Sequence, residues 1–228
     1  MTAISAFKDS NSVHIFSDGA WHDAFSGKRC GTGTKVQTIP EMNSVFAVTG
    51  LSTVPTLLSA LLMETAPFAD LHSLAQAFPD LLKTCGARAK TVGLTLTGRC
   101  DVILAGWSDS AGPSIHVTQC YFEHEIYKGS DVNRYVRPSV DESSRMHFPD
   151  DGLRLLEKQR DAKVSRTIPG AFSTETISGL VGGFAQHTQV DADGIRIRVL
   201  QRWPDRTDGD LPGIAVSSVE MAQKERAL

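Results

Sequence analysis

Thr2, directly behind Met1, is the first residue whose chemistry stands out. A threonine at a free N-terminus holds a nucleophile and a base in one residue, because its hydroxyl attacks while its own α-amine takes the proton. That amine titrates at about 8, so it works near neutral pH without a histidine. This chemistry requires removal of Met1, since a peptide nitrogen is not a base. Asp18 follows in the run Val13-His14-Ile15-Phe16-Ser17-Asp18-Gly19, and Lys35 in Gly33-Thr34-Lys35-Val36. A carboxylate and an ammonium beside Thr2 would orient its hydroxyl and depress the amine pKa further.

These residues need strands to hold them. Ala3 to Phe7 and Val13 to Ser17 read as a hairpin around Asp9-Ser10-Asn11, and Lys35 to Ile39 and Ser44 to Thr49 as a second hairpin closed by Gly50. Val54, Leu57, Leu58, Leu61 and Leu62 have helical spacing. So do Leu71, Leu74, Ala75, Phe78, Leu81 and Leu82, with Asp70 as N-cap and Pro79 as a kink or stop. Strands are predicted for Thr91 to Thr97, Asp101 to Trp107 and Ser114 to Cys120. Residues 121–148 show no clean period and read as an irregular excursion. Helices are predicted for Asp150 to Lys163 and, capped by Ser173, for Thr174 to Leu180. Phe184 to Val190 and Ile195 to Trp203 flank an Asp193-Gly194 turn and form the last hairpin. One domain is expected over 1–203, with a C-terminal arm or tail over 204–228.

Strands and helices in this order predict an α+β chain, a four-layer αββα sandwich of two antiparallel sheets with helix pairs outside. The order resembles the proteasome β subunit and the bacterial proteasome-like peptidase subunit, both N-terminal-nucleophile (Ntn) hydrolases. Thr2, Asp18 and Lys35 match the family's threonine, aspartate and lysine. Val45-Phe46-Ala47-Val48-Thr49-Gly50 resembles the strand whose final glycine N–H forms the oxyanion hole. Asp101 to Trp107 resembles the central strand, and Gly182-Gly183 precedes Asp193-Gly194 at the family's spacing.

The resemblance implies that Thr2 is nucleophile and base, that Lys35 and Asp18 tune it, and that Gly50 holds the oxyanion. It also implies a peptide substrate and a homo-oligomer, possibly a ring. Two positions depart from the family, where an aspartate and a serine support the threonine: here they are Ser178 and Val181. Valine can neither donate nor accept a hydrogen bond. The family's mid-chain serine finds only Ser130 or Ser139 as counterparts. The alternative expectation is therefore a non-catalytic structural subunit of a large assembly, such as a phage particle.

Composition narrows the rest. The net charge of −3 offers no basic footprint for nucleic acid. Cys30, Cys85, Cys100 and Cys120 lack paired spacing, which predicts neither a disulfide framework nor a metal site, and no cofactor motif survives scrutiny. Lys8 and Asp9 interrupt any signal-peptide core, and no apolar run is long enough to span a bilayer. The expected location is the cytoplasm, or a virion on the structural alternative.

Overall fold

The computed structural model describes residues 2–22, 29–65, 67–162, 164–167, 174–177 and 181–204. Two five-stranded sheets, antiparallel throughout, form its body. The first contains β1 (Ile4–Lys8), β2 (Ser12–Asp18), β10 (Arg134–Arg137), β13 (Phe184–Asp191) and β14 (Gly194–Arg202), in the order β10-β1-β2-β13-β14. The second is β5 (Val36–Ile39), β6 (Ser44–Thr49), β7 (Arg99–Ser108), β8 (Gly112–Tyr121) and β9 (Ile126–Asp131), in that order. Two ribbons complete the strands: β3 (Ala20–His22) with β4 (Arg29–Thr32), and β11 (Val164–Thr167) with β12 (Thr174–Ile177).

Period-two alternation decides how the sheets stack. Ile4, Ala6, Val13 and Ile15 from the first sheet meet Val45, Ala47, Ile103 and Ile115 from the second in one buried layer. The alternate residues face outward. On the second sheet, Phe46, Val48, Val102 and Leu104 pack beneath α1 (Val54–Glu64) and α2 (Leu71–Thr91). On the first, Phe7 and Phe16 pack beneath α3 (Gly152–Asp161) through Leu155 and Leu156.

The expected four-layer αββα sandwich is not what forms. Among the described residues strand predominates, with three α-helices, and helices pair on one outer face only. The reason lies at Thr174–Ile177, predicted as helix but folded as β12 against β11. Three of these four residues are β-branched, which favours a strand over a helix. α3 is thereby left alone on its face.

Of the smaller expectations, the Asp70 cap holds and two others change. Asp70 caps α2 through a reciprocal box with Ser73, at 2.7 Å and 3.1 Å. Pro79 does not end that helix, which continues for 21 residues and absorbs Thr91, predicted as the start of a strand. Leu81, Leu82, Cys85 and Ala89 extend its buried stripe beyond the proline. Their burial offsets the roughly 3 kcal/mol a mid-helix proline costs. Residues 121–148, predicted as irregular, supply β9 and β10, which close the sheets at one side.

The outer face of the first sheet buries two histidines. His14 Nδ1 lies 2.9 Å from His187 Nε2, and the Phe16 ring stacks on His187 with centroids 4.6 Å apart. Gly152 opens α3 directly over Phe16, where a Cβ would stand 2.1 Å from the ring. Burial, first of all, pushes the His187 pKa down to about 4, helped by the charges of His14 and Arg198. An unfolded histidine titrates near 6.5, so between those values the unfolded chain binds more protons. The contribution of His187 to stability is complete above about pH 6.5 and is lost as pH falls toward 4, on the order of 3 kcal/mol in all. Urea denaturation at a series of pH values is expected to show this decline. His187→Gln should make it shallower, and an unchanged slope would contradict the assignment.

Candidate functional site

Asp18 ends β2 with its carboxylate fully buried. Each oxygen takes two donors. Oδ1 accepts from Ala3 N at 2.9 Å and from Lys35 Nζ at 2.5 Å. Oδ2 accepts from Ala20 N and Gly182 N, both at 3.1 Å. These donors come from the lead-in to β1, the start of β3, the turn before β13, and the residue before β5. One side chain therefore joins four separate stretches of chain.

Lys35 reaches this carboxylate from the margin of the second sheet, and its side chain is only 3 % exposed. Burial pushes its pKa below the usual lysine range, against the opposing pull of the Asp18 charge and hydrogen bond. Arg29, also buried, adds to the depression through its charge. The outcome is an ammonium held close to a carboxylate in a space that disfavours its charge.

Thr2 is half-buried and immediately precedes Ala3. Besides donating to Asp18 Oδ1, Ala3 accepts from the Asp18 backbone N–H at 3.3 Å. Adjacent Cα atoms are about 3.8 Å apart, so Thr2 sits one residue from the contact that anchors the ion pair. Thr2, Asp18 and Lys35, widely spaced in sequence, share one corner of the sandwich. Gly50 directly follows β6 of the second sheet with φ +100°, and a Cβ there would stand 2.6 Å from the Arg99 carbonyl. The backbone alone requires this glycine, whatever its N–H does.

The supporting positions differ. Val181 is buried at 2 % exposure in the apolar layer beneath α3, so it packs rather than supports a polar group. Ser178 lies outside the described residues. Ser130 is exposed on β9, an edge strand of the second sheet. Ser139 is also exposed, but it follows Arg137, which pairs with Ile4, and so stands at the Thr2 end of the first sheet.

Three residues take parts here that the sequence did not assign to them. Gly182 supplies a donor to Asp18 from 164 positions away, a partnership no local pattern reveals. His22, on β3, has its pKa pushed to about 4, mainly by burial and then by positive neighbours that include Lys35. Its Nδ1 is buried without a hydrogen-bond partner. Asp101, 2 % exposed, takes two bonds from Arg99 at 2.9 Å each and one from Tyr135 at 3.0 Å. Tyr135 lies on β10, so this cluster is a second polar tie between the sheets. A charged residue heading an apolar strand was the available signal.

Among the described residues, no group of three or more His, Cys, Asp or Glu side chains could hold a metal ion. The four cysteines are free thiols, with Cys30 exposed and the others buried. No helix among the described residues is long and apolar enough to cross a membrane. No protein-family model matches the sequence, and no curated protein is a significant match.

The buried pair generates an ordered expectation for stability. Asp18→Ala strands a buried ammonium and three backbone N–H groups, whereas Lys35→Met leaves a carboxylate that keeps its three backbone donors. Removing one partner of a buried ion pair costs roughly 3–5 kcal/mol. Asp18→Ala should reach or exceed that range, with Lys35→Met below it. Guanidinium unfolding of both variants tests the order, and a reversed order would show that Asp18 is not the hub.

Proposed function

We propose that this chain is an N-terminal threonine hydrolase of peptide or amide bonds, of the proteasome-like type, active once Met1 is removed. The observation that carries the reading is the buried Lys35–Asp18 pair at 2.5 Å, hydrogen-bonded through the same carboxylate to the residue after Thr2. An ammonium forced into a low-dielectric corner is unusual unless its charge is used. Here it would depress the pKa of a neighbouring amine, which is what an N-terminal base needs.

In this reading Thr2 Oγ bonds to the carbonyl carbon of the substrate while its proton passes to the Thr2 amine. The amine then gives that proton to the departing amine as the C–N bond breaks, leaving an ester on Thr2. Water, deprotonated by the same amine, hydrolyses the ester. Lys35 holds the amine unprotonated, Asp18 fixes Lys35, and the Gly50 N–H is assigned to the oxyanion, a contribution typically worth about 3–4 kcal/mol. A peptide substrate and a homo-oligomer, possibly a ring, accompany the proposal, in keeping with the resemblance.

The test begins with the intact mass of the folded protein. Loss of one methionine is expected, together with labelling of Thr2 by a threonine-directed electrophile and cleavage of unstructured peptides. Thr2→Ala should abolish turnover without altering the melting temperature. Lys35→Ala should lower kcat/KM by several orders of magnitude. Retention of Met1 would leave Thr2 without its amine and favour the non-catalytic assembly role.

A further inference from the structure

Of the seven large hydrophobic side chains exposed among the described residues, Ile197, Val199 and Leu200 belong to β14. β14 is the outermost strand of the first sheet, nine residues long and without proline or lysine. Exposed edge strands are ordinarily short, broken by bulges or proline, or studded with lysine, because an open edge recruits other chains. β9, the edge of the other sheet, is polar and exposes only Ile126 among large apolar residues. β14 has one such protection, a bulge at Leu200 where its register against β13 shifts, and its first six residues, Gly194 to Val199, have none among the described residues.

Its side chains alternate in chemistry. Ile195, Ile197 and Val199 are directed to the inner side of the sheet, in register with Val190, Thr188 and Gln186. The sandwich is unfilled there, and Ile197 and Val199 remain 46 % and 44 % exposed. Ile195 and Ile197 line an open depression of about 600 Å³, together with Thr38, Pro40 and Asn43 from the margin of the second sheet. The opposite side of the strand carries Arg196 and Arg198, whereas Arg202, beyond the bulge, pairs with Phe184 on the inner side and stacks on its ring; the strand has no acidic residue. Asp191 accepts from Arg196, whereas Arg198 makes only a 3.5 Å contact with His187.

We propose that β14 is a docking edge for an extended peptide segment with alternating acidic and apolar side chains, added as a sixth strand. Main-chain hydrogen bonds to the open edge would supply the pairing. The apolar side chains of the segment would enter the depression beside Ile195 and Ile197, and its carboxylates would stand opposite Arg196 and Arg198. Charge complementarity selects this occupant. A second copy of β14 would set arginine-rich strands against each other, with like charges facing. The inference stands independently of the hydrolase reading.

The experiment uses the full chain and two labelled heptapeptides, Glu-Val-Glu-Val-Glu-Val-Glu and its lysine counterpart, in fluorescence anisotropy. Preferential binding of the acidic peptide, at least tenfold and weakened by salt, is expected. An acidic peptide N-methylated at alternate amides, which cannot pair with a strand, should bind at least tenfold more weakly. The Arg196→Glu/Arg198→Glu double variant should reverse the preference, a gain that simple misfolding cannot mimic. Absence of binding, equal binding of both charge types, or undiminished binding of the methylated peptide overturns the proposal. Light scattering that shows a dimer broken by the same double variant also overturns it, assigning the edge to a second copy instead.

Discussion

The carboxylate of Asp18 is the constraint on which one end of this molecule depends. A charge so deeply buried loses several kcal/mol of hydration, and the structure must return it through close, well-directed donors. Four are present, and none is local except Ala20. Satisfying them fixes where β1 begins, how the β3–β4 ribbon leaves β2, and where the chain turns before β13. Because Lys35 comes from the edge of the other sheet, the same group also sets the distance between sheets at that corner. The ion pair and the polypeptide leading from Thr2 are thus held by a single network, and moving Asp18 leaves the other members unpaired.

At the opposite side of the stack the sheets are joined by chain as well as by charge, with Arg137 of β10 paired to Asp101 of β7 at 3.7 Å. The segment between β9 and β10 passes from one sheet to the other, with Val132 N donating to Ile115 O at 3.0 Å and Lys8 N to Asn133 O at 3.2 Å. Asp101, fed by Arg99 and Tyr135, reinforces that closure from within. On the side bounded by β5 and β14 no chain crossing of this kind occurs among the described residues, and the sheets are tied there by Asn43 Nδ2, which donates to Asp191 O at 2.8 Å. The asymmetry explains why apolar residues that belong to the inner face of β14 remain exposed there.

Two residues near the candidate site show how packing and chemistry compete for a position. Val181 belongs to the apolar layer under α3, where a polar side chain would lack partners, while its backbone carbonyl accepts from Arg160 at 3.0 Å. Gly50 adopts a left-handed backbone against the Arg99 carbonyl, so its identity is fixed by sterics before any oxyanion is considered. The Lys35–Asp18 pair is different, because packing alone favours apolar residues at such a place. It is therefore the pair, and not the glycine, that bears the functional argument.

Much of the framework was legible in the residues themselves. Alternation in Val13–Ser17 and Val45–Thr49, the Asp70 cap and the Asp193-Gly194 turn all encode local geometry, and each forms where the pattern places it. The grouping of Thr2, Asp18 and Lys35 could be suspected from strand order, since each flanks a strand end. The sequence did not reveal β9 and β10, whose polar edge positions bury no continuous face and so leave no alternation to read. Nor did it reveal that Thr174–Ile177 pairs with Val164–Thr167, or that Gly182 would complete the shell of Asp18. Local pattern records what a residue does with its neighbours along the chain. Edge pairing and the donors of a buried charge are chosen by contacts between distant segments, which exist only once the sheets have stacked.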